Sequence, residues 1–130
     1  MATPTFRAGG DINPARFVTV STAARHTVLE SNSGDTALIG ITDESTKNAP
    51  QTGGSTLHAE SGDHARVHPY GDDCKLELGG TVTQGDFIKP DNSGMGVTAG
   101  AAAVAGAIAL ESGISGDLID VMILIYSVPA

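Results

Sequence analysis

The chain has 130 residues, with fifteen Asp and Glu against seven Lys and Arg, for a net charge of −8. That length holds one hydrophobic core and excludes two independent ones, while the acidic balance excludes the basic surface that nucleic acid or an anionic membrane requires. Val, Ile, Leu and Phe supply only 29 residues, so a solitary fold buries little bulk against its chain entropy, and an oligomer that adds subunit burial is expected.

Residues 1–8 read as an N-terminal arm, ahead of a single β domain over 9–130. Thr3, Pro4, Thr5, Phe6 and Arg7 are either a frayed terminus or the candidate contacts with a partner, with Phe6 as the anchor. Met1-Ala2-Thr3-Pro4 has neither the basic nor the apolar region of a secretory leader. Beyond the arm, Gly- and Asp-rich turn signals recur at short intervals, from Gly9-Gly10-Asp11 to Ser115-Gly116-Asp117. Between them lie short runs rich in β-branched residues: 16–21, 37–42, 75–78, 86–89, 104–110 and 118–128. Lys75-Leu76-Glu77-Leu78 alternates with the two-residue period of a one-sided strand. Over Leu118–Tyr126 both faces are apolar, which predicts a central strand or a subunit contact, with Ile119, Val121, Ile123 and Ile125 as the core or interface row. The stretch Val97–Leu110 is too short for a spanning helix. The reading is all-β: a small barrel or tulip-like domain with at most one short helix.

An internal repeat organises these elements. Gly10-Asp11-Ile12 and Phe17-Val18 recur as Gly80-Thr81-Val82 and Phe87-Ile88, an offset of 70. Gly40–Ser45 recurs as Ala107–Ser112 at 67, and Ser61-Gly62-Asp63 with Val67 recurs as Ser115-Gly116-Asp117 with Val121 at 54. The pseudo-repeats cover about 10–67 and 80–125, and the falling offset assigns the first copy a long exposed loop over Thr46–Glu60.

His58, Glu60, Asp63, His64 and His68 form the one cluster with metal-ligand chemistry. On a strand His64 and His68 point to one side but stand about 13 Å apart, too far for one ion. No metal, cofactor or catalytic residue is assigned. Ser93 lacks the flanking glycines of an esterase elbow, Gly94-Met95-Gly96 opens no phosphate loop, and Asp91-Asn92-Ser93-Gly94 reads as a tight turn.

Phe6-Arg7-Ala8-Gly9-Gly10-Asp11-Ile12 with Arg16-Phe17-Val18, Ile39-Gly40-Ile41-Thr42, Gly85-Asp86-Phe87-Ile88-Lys89, Asp91-Asn92-Ser93-Gly94, Ala107–Glu111 and Gly116–Val121 resemble, in order and spacing, the bacteriophage capsid decoration (cement) proteins. The resemblance spans nearly the whole chain, with Thr46–Glu60 as its departure. It implies a non-enzymatic virion protein on the outer capsid surface, a homotrimer at three-fold and quasi-three-fold sites that binds the major capsid protein and stabilises the expanded shell. A small β module for a carbohydrate or peptide is the alternative, disfavoured by the absence of Trp. A metal-dependent enzyme comes third.

Overall fold

A computed structural model describes residues 5–22, 25–33, 38–44 and 57–129. They hold ten strands and no helix. The first five are β1 (Thr5–Ala8), β2 (Phe17–Val20), β3 (Thr27–Glu30), β4 (Leu38–Thr42) and β5 (His64–His68); they close a barrel in the order β1-β3-β2-β4-β5. The others are β6 (Asp73–Glu77), β7 (Phe87–Pro90), β8 (Gly96–Thr98), β9 (Val104–Ala109) and β10 (Leu118–Ser127), in a second sheet of order β6-β10-β9-β7-β8. A parallel bridge between Leu78 and Gly96 draws that sheet's two edges together. The protein is all-β, as its composition and turn spacing predict.

The two sheets are paired in the same register. Arg7 faces His64 as Glu77 faces Leu118, Phe17 faces Ile41 as Phe87 faces Ile108, and Ile12 bridges Ala59 as Val82 bridges Gly113. These positions differ by the offsets of 70, 67 and 54 seen in the sequence. The local cause is a turn used repeatedly. In Glu60-Ser61-Gly62-Asp63, Thr83-Gln84-Gly85-Asp86 and Ile114-Ser115-Gly116-Asp117, the Asp carboxylate accepts the first residue's N–H at 3.0 Å, and the Gly takes φ near +90°. Glycine is favoured there because a side chain at positive φ is crowded. Asn13-Pro14-Ala15-Arg16 stands in the equivalent place to 83–86, with Ala15 at φ 56° and Arg16 where the others carry Asp.

Equivalent residues also build the interiors. Ala8, Ile12, Val18, Val28, Ala65 and Val67 fill the barrel; Leu78, Val82, Ile88, Ile119 and Val121 form the core of the second sheet, joined by Leu76 and Ile123. Phe17 and Ile41 belong to the second cluster although their strands lie in the barrel. They point outward from it and are fully buried against the other half. Gly106 on β9 makes room for this: a Cβ there would stand 2.5 Å from the Phe17 ring.

Three expectations need correction. Residues 5–8 are not a free arm, since β1 pairs with β3 on one side and β5 on the other; Thr3 and Pro4 lie outside the described residues. Strand β10 is central but buried on one face only. Ile119, Val121 and Ile123 are buried, whereas Leu118, Met122 and Tyr126 are exposed, and a register shift between Ile123 and Tyr126 leaves Ile125 half-buried. Of the stretch read as an exposed loop, 45–56 lies outside the described residues, and its end is packed: His58 and Ala59 are buried, with Ile12 N–H donating to the Ala59 carbonyl at 2.8 Å.

Candidate functional site: the seam and the outer sheet face

The seam between the halves begins at Arg16. Thr42 Oγ1 accepts the Arg16 backbone N–H at 3.1 Å and donates to the Asn13 carbonyl at 3.0 Å, which fixes the turn. The guanidinium then reaches across to the second half: Nη2 donates to Glu77 Oε1 at 3.1 Å and Nη1 to the Ser93 carbonyl at 2.9 Å. Nη1 also lies 3.9 Å from Glu30 Oε2, whose carboxylate accepts both the backbone and side-chain N–H of Asn13. A forked cation between two carboxylates suits a largely buried joint better than Lys would.

Beside this joint lies a cleft of about 310 Å³ lined by Asp43, Glu44, His68, Asp73, Cys74, Lys75 and Asp120. It is predominantly acidic. Lys75 Nζ sits 2.9 Å from Asp120 Oδ1, and that hydrogen bond raises the Lys75 pKa and lowers that of Asp120. Burial, reinforced by Asp72, Asp73, Asp120 and Glu44, pushes the Cys74 thiol up from 9.0 to about 12. At neutral pH it is therefore a protonated packing group, not the thiolate that nucleophilic chemistry needs. Between about pH 9 and 12 the unfolded chain has lost this proton and the native state still holds it. Stability is thus fully retained below pH 9 and falls as pH rises, approaching about 1.4 kcal/mol per unit. The expected result is that Cys74→Ala flattens the fall of the urea midpoint above pH 9 relative to wild type. Parallel pH profiles would contradict this assignment.

The histidine cluster does not converge. His58 is buried, and its Nε2 accepts the Arg66 backbone N–H at 3.0 Å. His64 is exposed on β5, and His68 Nδ1 lies 3.4 Å from Asp72 Oδ2. Among the described residues no three His, Cys, Asp or Glu side chains are grouped to hold a metal ion. Asp91 Oδ1 is spent on the N–H groups of Ser93 and Met95, closing a tight turn.

The anchor proposed for the N-terminus is placed differently from its sequence reading. Phe6 is half-buried against the barrel's core, its ring centroid 6.2 Å from that of His26. Arg7 is exposed, and Thr5 pairs in register with Arg66. Ile119, Val121 and Ile123 line the second core.

Apolar surface gathers instead on the outer face of the second sheet. There Phe87, Ile108 and Met122 are cross-strand neighbours on β7, β9 and β10. Met122 is 38% exposed and Tyr126, stacked on Phe87 with centroids 4.7 Å apart, is 39% exposed. Leu110 and Leu118 are also exposed. Alternation along β10 made this face look like a second buried one. Its exposure could not be read locally, because nothing in the order of residues tells which face another element covers. Arg16 went unread in the sequence, and the signal that would have found it is its place in the repeat, where the matching turns are closed by Asp.

No family model matches the chain, and no curated protein matches it. Among solved structures it is similar to the crystal structure of the head fiber gp8.5 N base of bacteriophage phi29, with a TM-score of 0.66 at 15% identity. The likeness covers 99% of this chain and 98% of that one. At that identity it is the fold that the two share: a tandem β architecture with the same extent from end to end.

Proposed function

We propose that this protein is a structural component of a phage particle that binds the outer surface of the capsid as a homotrimer at three-fold and quasi-three-fold sites. The major capsid protein is its partner, and the expanded shell is the state it stabilises. The observation that carries this reading is the end-to-end likeness of its fold to the base of a phage head fiber. The order of motifs that resembles the decoration proteins and the exposed apolar face of the second sheet support it.

The mechanism is linkage. A ligand that binds the expanded lattice and not its precursor stabilises the former by mass action, and many copies on one lattice turn modest contacts into firm retention. The net charge of −8 keeps the decorated particle soluble. The test is to mix purified protein with empty expanded capsids, pellet them and count the copies retained. Retention in the stoichiometry of the lattice three-folds is expected. Protein that stays in the supernatant at micromolar concentration, or binds without saturating, would refute the reading.

A further inference from the structure

The seam inside the chain shows what the outer face of the second sheet is built to receive. Phe17 and Ile41 are cross-strand partners and are fully buried where the first half meets the second. Phe87 and Ile108 are their counterparts in the second half, paired in the same register, and only half-buried. His68, next in the row after Ile41, corresponds to Met122. The face that is fully covered once within the chain is therefore present a second time, more apolar and only partly covered.

Charge singles out a particular occupant for this face. Within the chain, Arg16 beside Phe17 is paired with Glu77 at 3.1 Å. Asp86 occupies the Arg16 position in the second half: Thr42 N–H donates to the Arg16 carbonyl, and Ala109 N–H to that of Asp86, both at 2.9 Å. Arg7 occupies the Glu77 position in the first half, opposite His64 as Glu77 is opposite Leu118. Repeating the internal contact between two chains thus sets Asp86 of one against Arg7 of the next. Each sign is reversed and the pair remains complementary.

We propose that a second copy of this chain docks its barrel on the Phe87–Ile108–Met122 face, head to tail, repeating between chains the contact that joins the halves within one. The seam between chains is the looser of the two. Ile39 stands at the position of Gly106, so Phe87 cannot approach the neighbouring backbone as closely as Phe17 does, and charge then sets much of the specificity. This deepens the homotrimer part of the proposed function and rests on it, yet it is tested in solution without capsids, so it stands or falls apart from capsid binding.

The experiment is sedimentation velocity over a concentration series on the full chain. Wild type is expected to self-associate, and R7D and D86R are each expected to weaken association by about tenfold or more. The double variant R7D/D86R, in which each seam regains an opposite pair, is expected to recover it. D86N retains an acceptor for the Thr83 N–H, so its weakened association is expected with little change in the unfolding midpoint. A monomeric wild type, association indifferent to the single changes, or no recovery in the double variant would each overturn the proposal. Variants that associate normally but lose capsid binding would assign the face to the lattice protein, and would overturn it equally.

Discussion

A chain lacking residues 1–8 is expected to lose its cooperative unfolding transition. Strand β1 uses both edges, pairing parallel with β3 and antiparallel with β5, and it is the element that closes the barrel. Its loss removes the Ala8 N–H donation to the Asp63 carbonyl and the Gly62 N–H donation to the Ala8 carbonyl, both 2.8 Å. It also strips Ala8 and Phe6 from the core and bares the edges of two strands. At about 0.5–1.5 kcal/mol for each backbone hydrogen bond, plus the lost burial, the sum rivals the total stability of a small domain, about 5–15 kcal/mol. Urea titration followed by circular dichroism measures it. A sharp transition at the wild-type midpoint would show that β1 is dispensable. If the transition is lost, weak capsid binding by this truncation reports an opened barrel, not the removal of an anchor.

Phe17→Ala is expected to cost about 3–5 kcal/mol, the range for a large aromatic removed from a packed interior. Phe87→Ala, at the corresponding position, is expected to cost at most about 1.5 kcal/mol, since its ring is only partly buried and stacks on the exposed Tyr126. The same chemical change at matched positions therefore isolates what the seam contributes. The cavity left by Phe17 is bounded by Gly106 and the Leu38 side chain, and strand backbones held on both sides cannot collapse to refill it. Urea midpoints at unchanged m-value give both numbers. Equal losses would mean that the halves do not depend on their joint.

How much could be read in advance followed how local each cause is. The repeat was legible because its signature is a turn, and Gly62, Gly85 and Gly116 with the Asp that follows each act within four residues. Strands β2, β4, β7, β9 and β10 were legible from their β-branched runs. Three others were not. Thr27–Glu30 and Gly96–Thr98 are short and mixed in polarity, and they are strands because β2 and β7 align them. Thr5–Ala8 is a strand because β5, some sixty residues later, closes the barrel on it. The acidic cleft also escaped notice, since Asp43 and Asp120 meet only when β4 packs on β10. The histidines looked like a cluster because they are close in sequence, but one is buried and bonded while another faces outward.

The placement of Arg16, Glu77, Arg7 and Asp86 also dictates which neighbours a half will refuse. Stacking two first halves in the geometry of the seam would confront Arg16 with Arg7; stacking two second halves would confront Asp86 with Glu77. Like charges pressed into a joint of low polarity repel strongly enough to reject the wrong neighbour. Opposite charges at two matched sites of the two halves thus leave a grammar of strict alternation, in which each half accepts only its opposite and any chain of contacts keeps a single direction.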